Sequence, residues 1–280
     1  GRVTDIHPYE INDANRLIED LMLAANETVA KEFCKREVPF LYRVHEAPSE
    51  EKAQELISLV QGLGFPVRRG KAGLSDPRDL SAILKKVEGS PEAPLVEKTA
   101  LRSMSKARYT VECTGHYGLS KKYYTHFTSP IRRYPDLQIH RIIKDYLKSD
   151  GLKKKRIKHY AAILPGVADT CSDQERRADE LERDCVKLKK CEYMSRFIGE
   201  EFDGIISGVT AYGFYVELPN TCEGMVHVNS LVDDYYVFDE KKLSLTGERR
   251  GRSFRLGDSV HIIVVSADKL MRTVDFRIYG

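Results

Sequence analysis

With 280 residues, 41% hydrophobic and 9% aromatic, the chain is long enough for one large core and one small one. Its 45 Lys and Arg against 42 Asp and Glu leave a net charge of +3, too little to argue alone for a polyanionic partner, so the placement of charge matters more than its sum. No run of about 18 apolar residues exists, and the opening GRVTDIHPYE lacks the apolar stretch of a signal peptide. Neither a membrane-spanning helix nor secretion is indicated, and a cytoplasmic location is expected. Cys34, Cys113, Cys171, Cys185, Cys191 and Cys222 lie far apart, with no CxxC pair and no histidines at zinc spacing, so they read as reduced packing residues.

In chain order, the polar NDAN at residues 12–15 resembles a cap, and Leu17, Ile18, Leu21, Ala25, Val29 and Phe33 recur at helical spacing. These predict a long buried helix over residues 12–36. A second helix is expected after Ser49, capped by Ser49-Glu50-Glu51-Lys52 and stopped at Gly62-Leu63-Gly64, with residues 65–75 as loop. Asp79–Val87 and Leu95–Ala107 read as two more helices, separated by Gly89-Ser90-Pro91. From Arg156 to Phe197 few breakers follow Pro165, which predicts a long solvent-laced helix running to Gly199. Beyond that glycine the apolar period changes to two, and short strands punctuated by Gly213, Gly224, Gly247, Gly251 and Gly257 suggest a small closed barrel of five strands.

The stretch richest in chemistry is YYTHFTSPIRRYPDLQIHR, residues 123–141. Pro130 and Pro135 each stand where a turn or helix can begin at no hydrogen-bonding cost, so the segment between them is stiff. It presents Arg132 and Arg133 just before a helix whose N-terminal dipole also favours an anion. Asp136 falls in the first turn of that helix and His140 one turn later. One reading pairs the two arginines with protein acids and leaves Asp136 to complement the dipole. The other notes the aromatic and basic residues interleaved from Tyr123 to Arg141, a composition suited to a nucleic-acid channel.

The string HFTSPIRRYPDLQIHR closely resembles the signature of the catalytic domain of the ribonuclease R and ribonuclease II family. LIEDLMLAAN, LYRVHEAPS, LRSMSKARY and GHYGL agree with it in the same order, and the resemblance runs essentially from Gly1 to Gly280. It implies an α+β chain: the helix-rich C-terminal portion of an RNB catalytic domain over residues 1–198, then a five-stranded OB-fold barrel over residues 199–280. It also implies a magnesium-dependent, processive 3′→5′ exoribonuclease that threads single-stranded RNA into a buried channel and releases nucleoside 5′-monophosphates. Arg132 matches the arginine beside the scissile phosphate in that family, where an always-charged planar fork stabilises developing negative charge. Arg133, His140 and Arg141 belong to the same motif and are candidate RNA contacts. Glu19 matches a helix carboxylate near the terminal ribose, where it can accept from a 2′-OH, with Asp20 one residue on.

In the barrel, FDGIISGVTAYGFYVEL, EGMVHVNSL and FRLGDSVHIIVVSAD resemble the RNA-binding module named after a ribosomal protein, the S-one domain. Tyr212, Tyr215 and His227 match its stacking face, and Phe214 then points to the core. Taken without the resemblance, these aromatic residues suit cross-strand packing and His227 a structural role. Lys241, Lys242, Arg249, Arg250, Arg252 and Arg255 lie in the same region and suit phosphate tracking. The family holds Mg2+ with closely spaced aspartates well upstream of LIEDLMLAAN, so the resemblance implies no metal ligands in this chain, Asp233-Asp234 reading as a loop or helix start instead. Gly1 then reads as a cut end, and the missing N-terminal half as a partner. The 280-residue chain alone is expected to bind RNA without degrading it. The alternative is a non-catalytic single-stranded RNA-binding protein.

Overall fold

The computed structural model describes residues 1–67, 74–240 and 242–279. Arg68 to Gly73, within the expected loop, lie outside the described residues, as do Lys241 and Gly280. The described helices are α1 (Asp13–Lys35), α2 (Glu50–Gly62), α3 (Pro77–Val87), α4 (Ala93–Ser103), α5 (Tyr134–Lys148) and α6 (Lys154–Met194). The strands are β1 (Tyr42–Val44), β2 (Arg108–Thr110), β3 (Glu201–Thr210), β4 (Gly213–Glu217), β5 (Glu223–His227), β6 (Tyr236–Asp239), β7 (Ser244–Gly247), β8 (Ser253–Arg255), β9 (Ser259–Asp268) and β10 (Thr273–Ile278). The chain divides into two compact units, one of Ile11–Val87 and Thr99–Ala178, the other of Gly1–Glu10, Glu88–Lys98 and Asp179–Gly280.

The first unit is helical. Asn12 opens α1 with a reciprocal capping box: its side chain accepts the Asn15 N–H at 3.0 Å, and the Asn15 side chain accepts the Asn12 N–H at 3.1 Å. The helix is not buried along its length as its apolar spacing suggests. Leu17, Ile18 and Leu21 are 60, 55 and 59% exposed, while burial is confined to Asn26, Ala30 and Phe33. Spacing identifies residues that share a face but not whether anything covers that face. Ser49 caps α2 as expected, accepting the Lys52 N–H.

Two short strands, β1 and β2, pair antiparallel with Arg43 opposite Tyr109, an element too brief for alternation to reveal. Phe33 stacks on Phe40 at 4.7 Å, and the core continues through Leu41, Val44, Ile139, Ile142 and Leu164. Ile139 and Ile142, fully buried, anchor α5. Each such side chain is worth about 1.5–3 kcal/mol in burial, and that anchorage fixes the turn preceding the helix.

The second unit carries the expected barrel, closed in the order β10-β5-β4-β3-β9 with β10 parallel to β5. Eight described strands rather than five follow Gly199, because β6, β7 and β8 form a separate three-stranded sheet. Phe214 is fully buried, as expected, and stacks on Phe254 of β8 at 4.6 Å, so barrel and small sheet share one core. Gly213 turns the β3–β4 hairpin at φ +145°, where a Cβ would stand 2.1 Å from the Val226 carbonyl oxygen. Only glycine fits there.

Candidate nucleic-acid interface

The SPIRRYPD turn is braced from within. Ser129 supplies its carbonyl to the N–H groups of Arg132 and Arg133 at 3.3 and 3.0 Å. Its own N–H donates to Asp136 Oδ1 at 2.8 Å, and the Arg133 guanidinium reaches the same oxygen at 2.8 Å. Asp136 is fully buried, and its Oδ2, like Arg133 Nε, has no partner among the described residues. The carboxylate therefore ties loop to helix as well as complementing the dipole. Upstream, buried Asn26 on α1 accepts the Phe127 N–H at 2.9 Å, and the Thr125 hydroxyl donates to the Leu41 carbonyl at 2.8 Å. Asn26 is a positioning residue that sequence reasoning misses, although a polar residue in register with Ala30 and Phe33 is the available signal.

The motif residues separate in role. Arg133 is committed to Asp136, its side chain only 17% exposed. Arg132 is exposed and has no ion pair or side-chain hydrogen bond among the described residues. His140 stacks on Phe127 at 4.3 Å with a ring nitrogen 2.9 Å from the Phe127 carbonyl oxygen, so it packs the turn against α5. Exposed Arg141 lies over the Tyr134 ring at 5.8 Å. Glu19 and Asp20 are exposed on the first half of α1, with no side-chain partner among the described residues.

Two histidines near the turn are held neutral. Burial, reinforced by Arg133, Arg43, His116 and Arg132, pushes His126 down to about 3, and its Nδ1 pairs with the Tyr109 hydroxyl at 2.8 Å. Burial and the neighbouring His45 and Arg43 take His116 down to about 4. Both rings are neutral at pH 7. Burial is the larger cause and disfavours charge of either sign; only the smaller contribution of the neighbouring cations favours an anion.

On the barrel, Tyr212 is 77% exposed beside the hairpin glycine, and Gly213 pairs with His227 while Tyr215 pairs with Met225 across β4 and β5. Tyr215, Met225 and His227 line a groove of about 990 Å3 whose other lining residues include Arg183, Lys187 and Lys190 of α6. The His227 ring nitrogen lies 3.3 Å from Asp275 Oδ1. Lys242, Arg249, Arg250, Arg252 and Arg255 are exposed, but they sit on the β6–β8 sheet and its loops rather than on the strands bearing the aromatic face. Asp234 accepts the N–H groups of Tyr235, Arg249 and Arg250, and Asp233 accepts the Tyr236 hydroxyl, so this pair organises the sheet's loops. Backbone donors, that of Arg250 first, hold the Asp234 carboxyl below its usual range.

Among the described residues no group of three or more His, Cys, Asp or Glu side chains could hold a metal ion. The Mg2+ implied by the resemblance therefore has no ligand set among them. No helix among the described residues is long and apolar enough to cross a membrane.

The helical unit with its SPIRRYPD turn and the aromatic-faced barrel have the form of an RNB-type region and an S1-type module. The RNB domain pattern matches residues 1–149 and the S1 RNA binding domain pattern residues 195–278; the chain belongs to the RNB family. It is 44% identical over 279 residues to ribonuclease R of Aquifex aeolicus, covering 99% of this chain and 39% of that protein. To ribonuclease R of Escherichia coli K12 it is 40% identical over 282 residues, covering 98% and 34%. Its fold matches RNase R of Mycoplasma genitalium in complex with ribose methylated single-stranded RNA, with TM-score 0.86 and 28% identity, over 97% of this chain and 43% of that one. The chain thus spans less than half the length of the relatives it matches.

Proposed function

We infer that this chain is the RNA-gripping part of a processive, hydrolytic 3′→5′ exoribonuclease that releases nucleoside 5′-monophosphates from single-stranded RNA. On this reading residues 1–198 are the C-terminal part of the RNB catalytic domain and residues 199–280 the S1-type module. The observation that carries it is the division of labour in the turn: Asp136 neutralises Arg133 and leaves the exposed Arg132 guanidinium uncommitted. A single free fork on a braced turn suits a phosphate about to be cleaved. Arg132 is the catalytic residue, holding charge on that phosphate, and Glu19 accepts from the terminal 2′-OH. Arg133 and His140 shape the turn, Arg141 flanks the strand, and Tyr212, Tyr215 and His227 stack on bases further back.

Mg2+ would supply the activated water, and its ligands would be the aspartates that the family places upstream of LIEDLMLAAN rather than the described residues of this chain. An upstream half of the same protein is the natural cover for Leu17, Ile18 and Leu21. The enzyme works in the cytoplasm. Alone, the 280-residue chain binds RNA without cutting it.

The test is to incubate the chain with end-labelled single-stranded RNA and Mg2+. Binding that is weakened by Arg132→Ala, without monophosphate release, is the expected result. Release of monophosphates by this chain would overturn the division of labour between it and the upstream half, and failure to bind RNA would overturn the reading as a whole.

A further inference from the structure

The densest positive charge in the molecule lies outside the turn and the barrel. Between residues 141 and 159, Arg141, Lys144, Lys148, Lys153, Lys154, Lys155, Arg156 and Lys158 stand against Asp145 and Asp150, eight cations to two anions, a balance of +6 in a chain whose total is +3. All eight cationic residues are exposed. On α5, Arg141, Lys144 and Lys148 recur at intervals of three and four residues and so share one face, as do Lys154 and Lys158 on α6. A groove of about 270 Å3 is bordered by Tyr134, Arg141, Lys144 and Asp145 from α5 and by Arg156 and His159 from α6, so the two helices meet along basic residues, while Lys154 and Lys158 stand on the outer side of α6.

The charge is not spent internally. Asp145 is held by Arg156, whose Nε lies at 2.7 Å, and by the Tyr160 hydroxyl at 2.7 Å. Among the described residues no ion pair engages Lys144, Lys148, Lys153, Lys154, Lys155 or Lys158. Six exposed ammonium groups in one stretch, none of them in an ion pair among the described residues, draw a polyanion. The patch is also continuous with the candidate site: α5 begins at Tyr134, one residue after Arg133, and its 15 residues carry the chain about 22 Å towards Lys148. Exposed Tyr134 and His159 beside the guanidinium of Arg141 interleave rings with charge, which favours an RNA strand over a lipid surface.

We propose that the basic face formed by the end of α5 and the start of α6 is a second RNA-backbone site, which holds the phosphates of a strand outside the segment gripped by the SPIRRYPD turn. The site rests on the reading that the chain handles RNA, and it extends past Arg141, the last residue of the turn motif, to the lysines at 144–158, which neither that motif nor the aromatic face of the barrel includes. Its chemistry is sequence-blind: ammonium groups displace counterions from successive phosphates, so its contribution grows as salt is lowered.

The experiment compares the 280-residue chain with a variant carrying Lys153→Gln, Lys154→Gln, Lys155→Gln and Lys158→Gln, and with one carrying the same four positions as Arg. The probe is a fluorescent 2′-O-methylated poly(A) strand of about 30 nucleotides, its affinity followed by anisotropy over a series of KCl concentrations. Every phosphate that the Gln variant no longer neutralises makes the slope of log affinity against log salt shallower by about 0.7 and weakens binding about fivefold at 0.1 M salt, so two such phosphates give about 25-fold. The arginine variant keeps the wild-type affinity and slope. Because the four lysines are exposed and unpaired, circular dichroism should be unchanged.

Wild-type affinity and slope in the Gln variant, alongside weakened binding by a Tyr212→Ala, Tyr215→Ala chain, would make the patch an ordinary solvated face and leave the proposed function standing. If the wild-type chain does not bind the strand, both readings fall together. Loss of binding to phosphatidylserine vesicles in the Gln variant, with RNA affinity intact, would assign the face to a membrane surface and overturn the proposal.

Discussion

Replacing Asp136 by Asn removes one charge and almost no volume, from a position with no solvent exposure. The amide can still accept the Ser129 N–H now held at 2.8 Å, so the loop-to-helix bond survives. What it cannot do is neutralise the Arg133 guanidinium, whose side chain is 17% exposed and whose Nε already lacks a partner. Breaking one side of such a buried pair costs about 3–5 kcal/mol, because the surviving charge keeps its desolvation penalty without compensation. The cost falls on α5, and hydrogen exchange on the 134–148 segment, read by mass spectrometry, reports it directly. At about 1.4 kcal/mol per decade, exchange should accelerate by roughly two to three and a half orders of magnitude. A second variant, Asp136→Asn with Arg133→Met, removes both charges and should recover most of the protection, since no uncompensated buried charge then remains. Additivity of the two single effects within about 0.5 kcal/mol would refute the idea that these residues act as one unit.

Gly213→Ala places a Cβ against the Val226 carbonyl oxygen at a φ that L residues rarely adopt. A loss of about 2 kcal/mol or more is expected, visible as a lower Tm, and an unchanged Tm would show that the hairpin can shift. His126, pushed down to about 3 by burial and then by Arg133, gives stability a definite pH dependence. Below about pH 6.5 the unfolded imidazole takes up a proton that the folded one refuses, so stability falls as pH drops from about 6.5 towards 3, by up to about 1.4 kcal/mol per unit. His126→Gln should flatten urea-melt stability between about pH 6.5 and 4.5; equal slopes in the two proteins would contradict the assignment. Tyr212→Ala with Tyr215→Ala should weaken RNA binding by about 1–3 kcal/mol for each base that loses its platform, measured by anisotropy at moderate salt. Unchanged affinity there would remove the stacking role.

Much of the fold is readable from local chemistry. The Asn12 and Ser49 caps, the Gly62-Leu63-Gly64 stop and the switch to period two after Gly199 each rest on a few adjacent residues, and each appears in the fold as expected. What escapes depends on neighbours distant in sequence. Strands β1 and β2 have three residues each and exist because Tyr42 finds Thr110 across the chain. The β6–β8 sheet separates from the barrel because Phe254 closes over Phe214, a contact that no alternation pattern encodes. Leu17, Ile18 and Leu21 have the spacing of a buried stripe but nothing over them in the described structure. In the turn, two adjacent arginines and an aspartate are plain to see, but which arginine Asp136 engages is decided by the backbone path around Ser129.

Burial of His116 and His126 has a further consequence for how the turn meets its ligand. With both imidazoles held neutral and guanidinium groups always charged, Arg132 and Arg133 keep their charge across the physiological range. Acid acts through the two buried rings by destabilising the scaffold beneath the turn.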